Sequence, residues 1–93
     1  MKILWLEAAV LDLESPHAFI SQDRPRAAST EVETVLAAVQ NLADFPSAGR
    51  SGRVQGTREL VVSTWVIAYR VKHGAVQVLR VLHAARQWPE RLR

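Results

Sequence analysis

The sequence predicts an α+β domain with an N-terminal strand, an α-helical hairpin and then a three-stranded antiparallel meander. Three observations predict it. Apolar residues recur at three- and four-residue steps from Ala28 to Leu42, the stripe of an amphipathic helix. Beyond residue 56 the apolar spacing shortens to near two, the period of strands. Between these two regimes lies a stretch carrying Pro46, Gly49, Gly52 and Gly56. At 93 residues the chain holds one modest core and no second domain.

Taken in order, residues 3–6 (ILWL) form a short apolar run that reads as the opening strand. A helix follows from Glu7, with Leu11, Leu13, Phe19 and Ile20 as a rough apolar face, and Pro16 divides or kinks it by removing an amide donor. Pro25 sits where a first-turn proline belongs, opening a helix of about five turns. Its stripe is Ala28, Val32, Val35, Leu36, Val39 and Leu42, and it stops near Asp44 because Pro46 disfavours helical geometry in the residue before it. Residues 47–56 read as a basic loop. Residues 57–63, 65–72 and 75–83 are rich in Val, Ile, Leu, Trp and Tyr and read as strands, with His73-Gly74 as a tight-turn signal between the last two. With the opening strand they make four strands, covered by the helices on one face and by loops or a partner on the other.

Charge is split along the chain. Residues 1–46 hold three Lys/Arg against seven Asp/Glu, a balance of −4, whereas residues 47–93 hold nine against two, a balance of +7. With no cysteine, neither a disulfide nor a thiolate metal site can form, and a reducing cytoplasm is the simplest setting. No apolar run approaches the roughly 20 residues of a membrane span, so no membrane association is expected. Acidic residues at 7, 12 and 14 break the pattern of a secretory signal.

The chemistry-bearing residues are few. His17, His73 and His83 lack metal-ligand spacing, and no metal-hydrolase, phosphate-loop or nucleophile-elbow motif occurs, so neither a metal nor another cofactor is implied. The carboxylates of the helical half read as a solvated surface. Arg58, Arg70 and Arg80, if they project from one side of adjacent strands, form a cationic floor able to meet phosphates or carboxylates. The alternative for each is a solvated edge position. His83 could act as a general acid or base or be a structural histidine at a strand end. Tyr69 could orient a substrate or pack its ring in the core. Trp88, flanked by Arg86, Pro89 and Arg91, suits either an interface anchor or packing onto the hairpin.

In order along the chain, an opening strand, a hairpin with PRAA (residues 25–28), LADFPSAGR (42–50), GTRELVV (56–62), VIAYRV (66–71) and VLRVLHAARQWP (78–89) together resemble the RelE/ParE superfamily of bacterial toxins from type II toxin-antitoxin modules. The resemblance covers almost the whole chain, departing at Pro16, where the family's first helix has an apolar residue. It implies a toxin with a cognate antitoxin whose acidic C-terminal segment wraps the hairpin around Leu11, Phe19 and Val32 and reaches the sheet edge. Direct sequence-specific DNA binding belongs to the antitoxin in such modules and is not expected of this chain.

The superfamily divides into ribosome-dependent mRNA endonucleases and gyrase poisons. The nuclease branch carries lysines on the strand that here reads TREL (57–60) and an arginine near Val66. This chain has Thr57, Glu59 and Val66 there, and a carboxylate repels a scissile phosphate while the missing arginine removes oxyanion stabilisation. RVLH (80–83) with a basic aromatic tail is similar to the ParE branch, which implies a toxin that binds DNA gyrase through Arg58, Arg70, Arg80, His83, Arg86 and Trp88. The alternative is a ribosome-bound mRNA endonuclease, with His83 or Glu59 as acid or base and Arg58, Arg70 or Arg80 on the phosphate. A third reading is a weak toxin whose useful role is complex formation and autoregulation.

Overall fold

The β-branched and aromatic density of the C-terminal half forms strands within one residue of where the sequence places them. Strands β1 (Lys2–Trp5), β2 (Arg50–Ser51), β3 (Arg58–Val62), β4 (Trp65–Lys72) and β5 (Ala75–His83) build one sheet in the order β1-β5-β4-β3-β2. Helices α1 (Glu7–Glu14) and α2 (Pro25–Asn41) lie between β1 and β2 in the chain. The computed structural model describes residues 1–14 and 25–83, with side chains described for 1–14 and 30–83. The sequence expectations about Pro16, Phe19, Ile20, Arg86 and Trp88 lie outside those residues, and the one about the side chain of Ala28 lies outside the described side chains.

The meander turns as expected. His73 and Gly74 both take positive φ, 53° and 72°, the pattern of a two-residue hairpin whose twist matches its flanking strands. The other hairpin turns through Ser63 at φ 55°, a conformation that costs a residue with a side chain more than it costs glycine. β1 pairs in parallel with β5, Lys2 opposite Ala75 through Trp5 opposite Val78, so the first and last described strands lie side by side.

The main core sits between the sheet and the helices. Val35 and Val39 of α2 and Ala9 of α1 pack with Trp65, Ile67, Val78 and Val81, and Leu42 packs with Tyr69 and Val76. Burying such side chains contributes about 1.5–3 kcal/mol each for the larger ones. Two details of the helices differ from the sequence reading. Leu36 is 44% exposed, because the stripe facing the sheet is the narrower 35–39–42 row. On α1, Leu11 is 56% exposed, and the inward positions are Ala9, Asp12 and the half-buried Leu13, which share a face at three- and four-residue steps.

The sheet has five described strands rather than four, because part of the expected loop, Arg50–Ser51, pairs with Arg58 and Glu59. β5 also carries a bulge. Ala68 faces Arg80 but Tyr69 faces Val78, so Leu79 is the extra residue, and it packs with Ala68, Leu6 and Val54. The bulge shifts by one position which way the β5 residues beyond it face; Ala75 and Val76 before it and Val81 and Leu82 after it are buried as adjacent pairs, on both faces of this interior strand.

Candidate functional site

Where β1 ends, the edge of β5 would be left with unpaired backbone groups, and the chain closes it with α1. The Leu6 amide donates to the Val78 carbonyl at 3.0 Å, and α1 then brings Asp12 over the bulge. One Asp12 oxygen accepts from the Val81 amide at 2.9 Å and from Arg80 Nε at 2.7 Å, while the other accepts from Arg80 Nη2 at 2.9 Å. This is a bidentate pair holding a buried carboxylate. Hydrogen bonding to Asp12 raises the Arg80 pKa, opposed by partial burial. Asp12 is therefore not the solvated helix carboxylate that sequence composition suggests.

A second constellation organises the segment before β3. The Tyr69 hydroxyl donates to the Pro46 carbonyl at 2.7 Å and accepts from the Gly49 amide at 2.8 Å. Gly49 is required there, since a Cβ would lie 2.7 Å from the Tyr69 ring carbon and hydroxyl. Arg58 Nη1 donates to the Gly49 carbonyl at 2.7 Å. Glu59, 3% exposed, accepts from the Arg53 amide at 2.8 Å and from its Nε at 3.1 Å, and from Arg50 Nη2 at 3.3 Å. Burial pushes the Glu59 carboxyl up, and the hydrogen bonds from Arg53 and Arg50 outweigh it, leaving its pKa below the usual carboxylate value. Tyr69 thus serves as a buried tether for the 46–49 segment.

A third cluster ties α2 to the end of the sheet. Trp65 Nε1 donates to Glu31, and the His83 ring meets the Trp65 ring edge-on at 5.2 Å between centroids.

The register does not build the conditional cationic floor. Arg58 lies opposite Tyr69 and shares its face, whereas Arg70, the next residue after Tyr69, points to the other side. Arg80 is occupied by Asp12, and Arg70 Nε donates to Gln77 at 2.6 Å. Glu59, Arg80 and His83, the residues a nuclease reading would need, are held in three separate constellations, with carboxylate and guanidinium each in an ion pair. Asp12, Glu31 and the Glu59 clamp escaped the sequence reading; the one available signal was a carboxylate at position 12 in register with Ala9 and Leu13. Among the described residues no three His, Asp or Glu side chains gather as a metal site, and no helix is long and apolar enough to cross a membrane.

With this geometry in place, comparisons with known proteins agree on one superfamily of toxins. The family model described as the ParE toxin of the type II toxin-antitoxin system parDE matches residues 3–88. Y4kP of Sinorhizobium fredii, a protein inferred to be a toxin, is 40% identical, covering 96% of this chain and 94% of its own. Toxin RelE2 of Caulobacter vibrioides is 33% identical over 91% of this chain and 97% of its own. Among solved structures, the chromosomal ParDE toxin-antitoxin system of P. aeruginosa superposes with a TM-score of 0.78 at 27% identity, covering 89% of this chain and 95% of that one. The RelBE2 toxin-antitoxin complex of Mycobacterium tuberculosis gives a TM-score of 0.60 at 26% identity, with 88% and 95% covered. The protein is a type II toxin-antitoxin toxin of the RelE/ParE superfamily, and its chain belongs to the ParE toxin family.

Proposed function

We propose that this toxin arrests growth by binding DNA gyrase and trapping it on cleaved DNA, and that a cognate antitoxin neutralises it. The observation carrying the reading is Glu59 on β3. It stands on the strand where the nuclease branch carries lysines, and it is buried and clamped by Arg50 and Arg53. A carboxylate held below its usual pKa by two guanidinium groups stays ionised and paired, so it is a weak proton acceptor and a poor general base. Val66, at the position of the nuclease arginine, is 3% exposed. A protein that poisons by docking needs no such groups. In this reading Arg58, Arg70, Arg80, His83, Arg86 and Trp88 are the proposed target contacts; they do not form one patch, since Arg58 and Arg70 stand on opposite faces of the sheet.

Both solved neighbours belong to toxin-antitoxin systems, and the M. tuberculosis one is a toxin-antitoxin complex, which supports an antitoxin as the partner. Its acidic segment is proposed to lie over α1 and α2, where exposed Leu11 and Leu36 and the half-buried Val32 offer apolar area. Phe19 belongs to the same proposed surface. Positive charge on the sheet adds attraction for an acidic chain.

The runner-up reading, a ribosome-dependent mRNA endonuclease, draws its support from the resemblance to RelE2. A gyrase supercoiling reaction and a translation reaction with primer extension, run on one preparation, separate the two. Gyrase poisoning supports the proposal, and codon-linked mRNA cuts that vanish in His83→Ala support the runner-up.

A further inference from the structure

The described Lys and Arg side chains sort into two sets. Arg50, Arg53 and Arg80 are each paired with a carboxylate, Glu59 or Asp12. Lys2, Arg58, Arg70 and Lys72 meet no described carboxylate: Arg58 donates to backbone carbonyls and Arg70 to the neutral Gln77. Three of these four share one surface. Lys2 lies opposite Ala75, and Ala75 lies opposite Lys72, so the three positions share a face; Arg70, two residues before Lys72, shares it too. The other face carries Ile3, Tyr69 and Val76, which pack under Leu42. Lys2, Arg70 and Lys72 therefore stand on the sheet face turned away from the helices.

Strand geometry sets their spacing. Lys2 and Lys72 are two strand steps apart, about 10 Å at the Cα atoms, and Lys72 and Arg70 about 7 Å. Both lysines are exposed, while Arg70 is half-buried with its Nε held by Gln77. Flanking positions on this face, Leu4, Gln77, Ala75 and Ala68, include no aromatic side chain. Unpaired bases therefore find no stacking platform here, and a protein partner finds no aromatic anchor. Flexible point charges at this spacing suit a row of phosphates instead.

We propose that Lys2, Arg70 and Lys72 form a sequence-independent contact for the phosphate backbone of duplex DNA. The inference rests on the gyrase reading for its biological sense, since a toxin that traps gyrase on DNA works beside a duplex. It deepens that reading by giving the toxin its own hold on the nucleic acid.

The test uses the full chain and a fluorescent duplex of about two helical turns in two unrelated sequences, with anisotropy read from 50 to 200 mM salt. Three neutralised phosphates give a slope of log affinity against log salt of about −2.7, or about a 40-fold loss across that range. Lys2→Gln with Lys72→Gln, both at exposed positions, lowers the slope to about −0.9, whereas Lys2→Arg with Lys72→Arg keeps it. A matching circular dichroism spectrum confirms that each double variant is folded. An unchanged slope in the glutamine variant overturns the proposal, and so does tighter binding to single-stranded RNA of equal length. The reaction contains no gyrase, so duplex binding without supercoiling inhibition defeats the proposed function alone, and inhibition without duplex binding defeats this inference alone.

Discussion

Asp12 on α1 and Arg80 on β5, 68 residues apart, meet through two hydrogen bonds of 2.7 and 2.9 Å, and the same carboxylate receives the Val81 amide. The pair stitches α1 over the bulge of β5 and fixes the part of the sheet next to His83.

Removing the carboxylate leaves Arg80 without its counter-charge in a partly buried site and orphans an amide. Asp12→Ala is predicted to cost about 3–5 kcal/mol of folding stability. Asp12→Asn, which keeps one acceptor oxygen, costs less. Urea denaturation midpoints of the two variants check both the size and the order.

Glu59 gives a pH signature. Its folded pKa lies below the unfolded value near 4.5, so its contribution to stability is complete above about pH 4.5 and is lost as pH falls through the folded pKa. Glu59→Gln is predicted to destabilise by about 1–3 kcal/mol at neutral pH, with the gap to the unsubstituted protein narrowing below pH 4.5. Thermal melts of both proteins between pH 3 and 7 read this directly; a gap that widens on acidification contradicts the clamp.

The Tyr69 tether predicts paired losses. Tyr69→Phe removes the hydroxyl from the Pro46 carbonyl and the Gly49 amide and costs about 1–3 kcal/mol. Gly49→Ala drives a methyl into the same ring, which the core holds fixed, at a cost of similar size. Since both act on one contact, the double variant should cost less than the two singles added, measurable by a double-mutant cycle in urea.

For the antitoxin surface, Leu11→Glu places a charge at a 56% exposed apolar position. Stability should change by less than about 0.5 kcal/mol, as for other surface substitutions. Co-purification with the antitoxin should weaken at least tenfold in affinity by titration calorimetry. An unchanged affinity removes Leu11 from the interface.

These sites differ in how far the residues alone announce them. β4 and β5 were legible to the residue because β-branched density and a His-Gly turn are local signals. The Arg50–Ser51 strand was not, since two residues pair only once Tyr69 and Arg58 pin the preceding Gly49 and Glu59 holds Arg50 and Arg53. α1 was misread at Leu11 because hydrophobicity ranks leucine above aspartate for burial, while the bulge of β5 demands a carboxylate. The cationic floor failed on register: Arg58 and Arg70 face opposite sides, and a single extra residue at Leu79 sets where Arg80 lies. The family itself was legible, because order and spacing of many short segments survive such local errors.

The most direct test of the gyrase assignment is a supercoiling reaction with relaxed plasmid, ATP, gyrase and micromolar purified toxin. The account predicts lost supercoiling with linearised, gyrase-linked DNA accumulating, reversed by the antitoxin. Full supercoiling with no cleaved complexes, alongside codon-linked cuts in translated mRNA, would contradict it.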